Sequence, residues 1–150
     1  MVSNADVEAV AARLGREPTV AFEVVTRDDS GAPAVIRNAP FDDDGAPMPT
    51  LYWLVDPEAV RRVGRLESEG GVKQAEAEVD PDELLRAHAA YAAERDRAIP
   101  RDRADARPSG GVGGTARGVK CLHAHYAYFL AGGDDPVGRW VEERLSERAP

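Results

Sequence analysis

Apolar positions recur every three or four residues at the start of the chain, which is the spacing of one face of an α-helix. Ser3 or Asn4 can cap this helix, and Gly15 is placed to end it. The pattern therefore predicts a short amphipathic helix ahead of Gly15.

The chain then changes to the pattern of β-strands. Residues 19–26 and 34–38 are rich in β-branched side chains and flank a turn-like segment, so they predict a β-hairpin. Residues 50–55 are aromatic and aliphatic and predict a third strand after a polar loop. Three strands are enough for a small sheet.

Three Asp-Pro pairs mark later helix starts, because Asp is a good N-cap and Pro is favoured at the first helical position. These pairs begin at Asp56, Asp80 and Asp135. Residues 117–131 are rich in Ala and Leu and predict another helix, which ends before a glycine pair. Strands followed by helices indicate an α+β protein, with an antiparallel sheet of about three strands after an N-terminal helix, packed against several C-terminal helices.

Length and composition restrict the function. The 150 residues predict a single domain over residues 1–150. A net charge of −8 opposes nucleic acid binding, and no apolar segment reaches the roughly 20 residues of a membrane span. The N-terminus lacks the features of a signal peptide, and one cysteine cannot form an internal disulfide, so a cytoplasmic location is expected.

A glycine-rich loop precedes the predicted helix of residues 117–131. Loops of this length are usually functional or disordered, so residues 99–118 are a candidate lid. Free N–H groups at a helix start attract anions, and basic side chains add charge there. The predicted contacts of an anionic small molecule are Gly113, Gly114, Thr115 as the helix cap, Arg117 and Lys120. A flexible linker is the alternative interpretation.

Cys121, His123 and His125 have a spacing whose meaning depends on secondary structure. On a strand, all three side chains would share a face and could bind one metal ion. On a helix each residue advances by about 100°, so Cys121 and His125 lie about 40° apart and His123 points about 200° from Cys121. The predicted helix therefore argues against one ion bound by all three. Both histidines could equally be half-buried and bonded to backbone.

Cysteine in the first turn of a helix, beside Lys120, is expected to have a lowered pKa. Cys121 and His123 are therefore candidate catalytic residues, as a nucleophile and a proton-transfer group. The alternative is that Cys121 is a small buried apolar residue. His88 lies on the inward side of its predicted helix and is interpreted as a core histidine.

Several segments resemble one known family. They are PTLYWLVDP at residues 49–57, the His88-x-x-Tyr91 helix, GVGG, and VKCLHAHYAYFLAGGDDPVG at residues 119–138. Together they resemble the bacterial domain of unknown function family 501 over nearly the whole chain. The resemblance implies a domain definition but no activity. It also implies that Lys120, Cys121 and His123, which match the recurring KCLH motif, are better candidates than His125.

Three functions remain open, and none of them assigns a cofactor. The first is a small enzyme or ligand-binding protein that holds an anionic small molecule at the glycine loop and helix N-terminus. The second is a zinc or similar transition-metal site built from Cys121, a histidine and ligands from elsewhere, such as His88. The third is a non-catalytic interaction module, such as a homo-oligomer, whose aromatic residues form core and interface: Tyr52, Trp53, Tyr126, Tyr128 and Trp140.

Overall fold

The computed structural model describes residues 2–148, and its elements follow the predicted order. The elements are α1 (Asn4–Leu14), β1 (Phe22–Arg27), β2 (Pro33–Asn38), β3 (Tyr52–Leu54), α2 (Pro57–Ser68), α3 (Gly71–Glu78), α4 (Pro81–Arg97), α5 (Leu122–Leu130) and α6 (Pro136–Ser146). Two 3-10 turns, Arg101–Ala106 and Val112–Gly114, lie between α4 and α5. The predicted α+β class is confirmed.

The three strands form an antiparallel sheet in the order β1-β2-β3. Ile36 of the central strand β2 pairs with Val24 on one side and Trp53 on the other, and its side chain is fully buried. Strand β3 is shorter than predicted. The hydroxyl of Tyr91 on α4 accepts the N–H groups of Leu51 (2.6 Å) and Tyr52 (3.2 Å), so this side chain replaces a strand partner there.

The predicted helix caps at the N-terminus and at the Asp-Pro pairs are present. Ser3 accepts the N–H of Asp6, and Gly15 ends α1 with a φ of 76°. Each of the three Asp-Pro aspartates accepts a backbone N–H from the first turn of its helix. The short helix α3 was not predicted as a separate element, because it begins at a glycine pair and has no side-chain cap.

Helix α5 runs through the centre of the helical layer. Leu122 and Tyr126 pack with apolar residues of α2 and α6, whereas Ala127 and Tyr128 pack with β2, β3 and α4. Because apolar neighbours lie on opposite sides of this helix, most of its residues are buried. Its position places the start of α5 beside β3 and α2.

Helix α5 begins five residues later than predicted. Cys121 has an extended backbone (φ −150°, ψ 152°) and occupies the N-cap position, so Thr115 is not the cap. Before it, Gly118 has a φ of 64°, and the N–H of Val119 is held by Glu76 of α3 at 2.9 Å. These tertiary contacts keep the segment before Cys121 out of the helix.

The segment predicted as a lid is packed against α4. Arg95 of α4 is 1% exposed, and its guanidinium donates to the carbonyl groups of Pro49 and Pro108. Through these hydrogen bonds, Arg95 holds the loop before β3 and the loop after α4 against helix α4. Within residues 2–148, no helix is long and apolar enough to cross a membrane.

Candidate functional site

A cavity of about 570 Å³ lies where the end of α1, strand β3, helix α2 and the start of α5 meet. Its apolar lining comprises Leu14, Tyr52, Trp53, Leu54, Val60 and Ala124. Its polar lining comprises Arg16, Thr50, Lys120, Cys121 and His123. A volume of this size is typical of sites for small molecules.

Four of the seven site residues predicted from the sequence line this cavity: Gly113, Lys120, Cys121 and His123. The other three do not. Gly114 is exposed, and the Thr115 hydroxyl donates to the carbonyl oxygen of Arg117 at 2.9 Å. Arg117 lines a different depression, beside Glu76 and Leu85. The structure therefore does not bring Arg117 and Lys120 to one cavity, because α5 begins later than predicted.

The glycine loop is a packed turn and not an open cradle. A Cβ atom on Gly111 would lie 2.7 Å from the Cβ of His88, and one on Gly110 would lie 2.4 Å from the carbonyl oxygen of Gly114. The N–H of Val112 donates to His88 Nδ1 at 3.0 Å, and the N–H of Gly111 donates to Thr115 at 2.9 Å. These contacts pack the glycine loop closely against α4.

The first amide of α5 is already held by a carboxylate of the protein. Glu67 of α2 accepts the N–H of Leu122 through Oε2 at 2.7 Å and contacts His123 Nδ1 through Oε1 at 3.0 Å. His123 Nε2 lies 3.1 Å from the carbonyl oxygen of Val60. Both ring nitrogens of His123 therefore lie beside acceptor atoms of the protein.

The thiol of Cys121 does not have the lowered pKa expected from the sequence. Burial raises its pKa, and the negative charge of Glu67 acts in the same direction. The N–H groups of Ala124 and His123 and the charge of Lys120 oppose this shift without outweighing burial. Cys121 is consequently a neutral thiol at neutral pH, which is a poor nucleophile.

His125 and His88 lie in the core, away from this cavity. His125 is fully buried and donates through Nδ1 to the buried carboxylate of Asp135 at 2.6 Å. His88 accepts the Val112 N–H through Nδ1 and donates through Nε2 to Gly118 at 2.8 Å, and burial lowers its pKa. His88 is thus a core histidine with both ring nitrogens bonded, as interpreted from the sequence.

The zinc site is not supported by this arrangement. Cys121 faces the cavity, whereas His125 and His88 pack against each other with ring centroids 5.5 Å apart. In the part of the chain that the structure describes, no three His, Cys, Asp or Glu side chains come together as metal ligands.

The charged side chains that line the cavity are basic. The side chains of Arg16, Lys120 and His123 contribute to its lining, and no carboxylate does so among the described residues. The Arg16 guanidinium lies over the Trp53 ring, 5.6 Å from its centroid, and is thereby held beside the cavity. Sequence reasoning did not predict Arg16, Trp53 or Glu67 as site residues, because each comes from an element distant in sequence from Lys120.

The fold and the cavity together define an α+β protein with a mainly apolar, basic-lined site beside the start of a central helix. The chain belongs to the family described as protein of unknown function (DUF501), which matches residues 24–143. The resemblance noted from the sequence is thereby confirmed. Leu14 and Arg16 of the cavity lie outside the matched residues. Searches of the curated proteins and of the solved structures gave no significant match.

Proposed function

We propose that this protein binds a small-molecule anion in the cavity between β3 and the start of α5, with Lys120 and Arg16 as its positive contacts. The observation that carries the proposal is the charge of the lining. A chain with 27 acidic and 19 basic residues surrounds this cavity with basic side chains and, within the described residues, with no carboxylate. Such a site attracts anions against the overall charge of the molecule.

Binding is better supported than catalysis. A covalent role for Cys121 requires a thiolate at working pH, and burial raises the pKa of this thiol. A proton-transfer role for His123 requires a free ring nitrogen, and both nitrogens lie within hydrogen-bond distance of protein acceptors. Cys121 and His123 therefore shape the cavity wall, and Lys120 supplies charge to the ligand.

Cys121 supplies a built-in reporter for the test, since it is the only cysteine of the chain and it lines the cavity. The rate of its alkylation is measured with and without benzoate, octanoate, octyl phosphate and inorganic phosphate. We expect at least one of these anions to protect Cys121 in the wild-type protein. Protection should weaken about tenfold or more in Lys120→Gln, as expected for loss of a charge-assisted contact.

Lys73→Gln is the matched control, because Lys73 is the other lysine of the chain and lies exposed on α3. This variant should keep the wild-type protection. Equal protection in both lysine variants, or no protection by any of the four anions, would contradict the proposed function.

A further inference from the structure

We infer that the anion is a carboxylate joined to an extended apolar body, and not a phosphate ester. This inference rests on the proposed function and specifies its ligand. It follows from two features of the cavity: which surfaces would contact the body of the ligand, and which hydrogen-bond donors are left for its head group.

The body of the ligand would meet a largely apolar wall. Leu54 and Trp53 come from β3, Leu14 comes from the last turn of α1, and Val60 comes from α2. Val60 is 37% exposed, so an apolar side chain stands open at the rim of the cavity. Removing this surface from water favours a ligand with a hydrocarbon or aromatic body.

The head group would find few backbone donors. Phosphate sites are commonly built from several backbone N–H groups that point at one anion. At the start of α5, the N–H of Leu122 bonds to Glu67, and the N–H groups of His123 and Ala124, which line the cavity, face the thiol of Cys121. In the glycine turn, the N–H of Val112 bonds to His88. These amides therefore do not form an open cradle for a phosphate group.

Two cationic side chains of the lining can contact the head group. Lys120 offers an ammonium group, and Arg16 offers a planar guanidinium, which matches the oxygens of a carboxylate or a phosphate equally well. The preference for a single negative charge comes from Glu67. Glu67 holds the first amide of α5 directly behind this wall. Its charge would repel the second negative charge of a phosphate ester more strongly than it would oppose a monoanion.

Titration calorimetry of the whole chain with hexanoate, octanoate and decanoate tests the apolar body. We expect the dissociation constant to fall about fourfold for each added methylene group, as for transfer of a methylene group out of water. Lys120→Gln should weaken all three ligands by a similar factor and leave this dependence on length unchanged. Val60→Ser should reduce the gain from octanoate to decanoate. Val25→Ser, at a comparably exposed position on β1, is the control and should leave the gain from octanoate to decanoate unchanged.

Octyl phosphate, 1-octanol and inorganic phosphate test the head group. Octanoate should bind more tightly than each of them. If octyl phosphate or inorganic phosphate binds more tightly than octanoate, and if that binding depends on Lys120, this inference is overturned but the proposed function stands. Equal binding of 1-octanol, or affinity independent of chain length, would also overturn it. If no anion shows binding that depends on Lys120, the proposed function fails as well.

Discussion

Cys121 shows how burial can reverse an expectation drawn from neighbouring residues. A lysine beside it and a helix start after it both favour the thiolate, and the sequence therefore predicts a lowered pKa. In the fold, burial and the nearby Glu67 raise the pKa instead. The cysteine thus belongs to the wall of a binding cavity.

The alkylation rate of Cys121 as a function of pH is the first prediction. Because burial raises its pKa above that of an exposed thiol, the rate with iodoacetamide should still be rising above pH 9 in the folded protein. In concentrated urea the same thiol should titrate at about 8.5, the value of an exposed cysteine. A midpoint below pH 8 in the folded protein would show that the helix start and Lys120 outweigh burial.

Single residues of the site were predicted where local sequence was sufficient. Lys120, Cys121 and His123 were identified by residue type and spacing, and all three line one cavity. Thr115 and Arg117 were assigned to the anion site because the helix was predicted to begin near them. In the structure, the helix begins at Leu122. No local signal marks that shift, because the contacts of Glu67, Glu76 and the glycine turn that cause it come from tertiary packing.

At the scale of elements, carboxylates on α2 and α3 position the start of α5. Glu67 accepts the Leu122 N–H and contacts His123, while Glu76 accepts the Val119 N–H. Glu67 caps the first amide of α5 from another helix, and Glu76 holds the segment before α5. Together they fix where α5 begins beside β3. The cavity wall formed by Lys120, Cys121 and His123 depends on that position.

Glu67→Gln is expected to destabilise the fold by about 1 to 2 kcal/mol, because it removes a charged acceptor from the Leu122 amide and a contact to the His123 ring. Urea unfolding at pH 7 measures the free energy. Glu143→Gln, on the exposed face of α6, is the control and should change it by less than about 0.5 kcal/mol. Equal effects of the two substitutions would mean that Glu67 does not stabilise the start of α5.

Two glycine-to-alanine substitutions test whether the glycine loop is a packed turn. Gly111→Ala brings a Cβ atom to 2.7 Å from the Cβ of His88, so about 1 to 3 kcal/mol of destabilisation is expected. Gly64→Ala, within α2, meets no atom within 4 Å and should stabilise by about 0.5 to 1 kcal/mol. Thermal unfolding of both variants provides the measurement. A neutral Gly111→Ala would indicate a loop that is free to move away from α4.

At the scale of the whole molecule, tyrosines join the sheet to the helices. Tyr52 of β3 stacks with Tyr128 of α5, which meets Tyr91 of α4 edge to face. The Tyr52 hydroxyl donates to Glu94, and that of Tyr126 donates to Glu142. Burial raises the pKa of all four tyrosines of the chain, that of Tyr91 to about 12.

The raised pKa values of these tyrosines predict that the folded protein loses stability at alkaline pH. Tyrosines in the unfolded chain ionise near pH 10, whereas the folded protein keeps Tyr91 protonated to about pH 12. The stabilisation is therefore complete below pH 10 and is lost as pH rises towards 12, with about 3 kcal/mol from Tyr91. Urea unfolding at pH 8, 10 and 11, with tyrosinate absorbance, checks this. Tyrosines that ionise near pH 10 in a protein that stays folded would contradict it.

The sequence predicted most of the fold, because its helix caps and strand patterns are local. The α1 cap, the Asp-Pro helix starts and the order of the three strands are all present in the structure. Three features were not predicted, since each depends on contacts between segments distant in the chain. They are the burial of Arg95, the separate helix α3 and the packing of the glycine turn against His88. The cavity depends on the same kind of contact.

Methyl NMR of the protein titrated with decanoate tests the central claim most directly, because methyl groups of the cavity come from four separate elements. If decanoate binds in the cavity, the methyl signals of Leu14, Leu54, Val60 and Ala124 should shift together. These shifts should be smaller in Lys120→Gln and unchanged in Lys73→Gln. Leu85, in the depression beside Arg117, should not shift. Saturable shifts centred on Leu85, or no saturable shifts at the cavity, would contradict it.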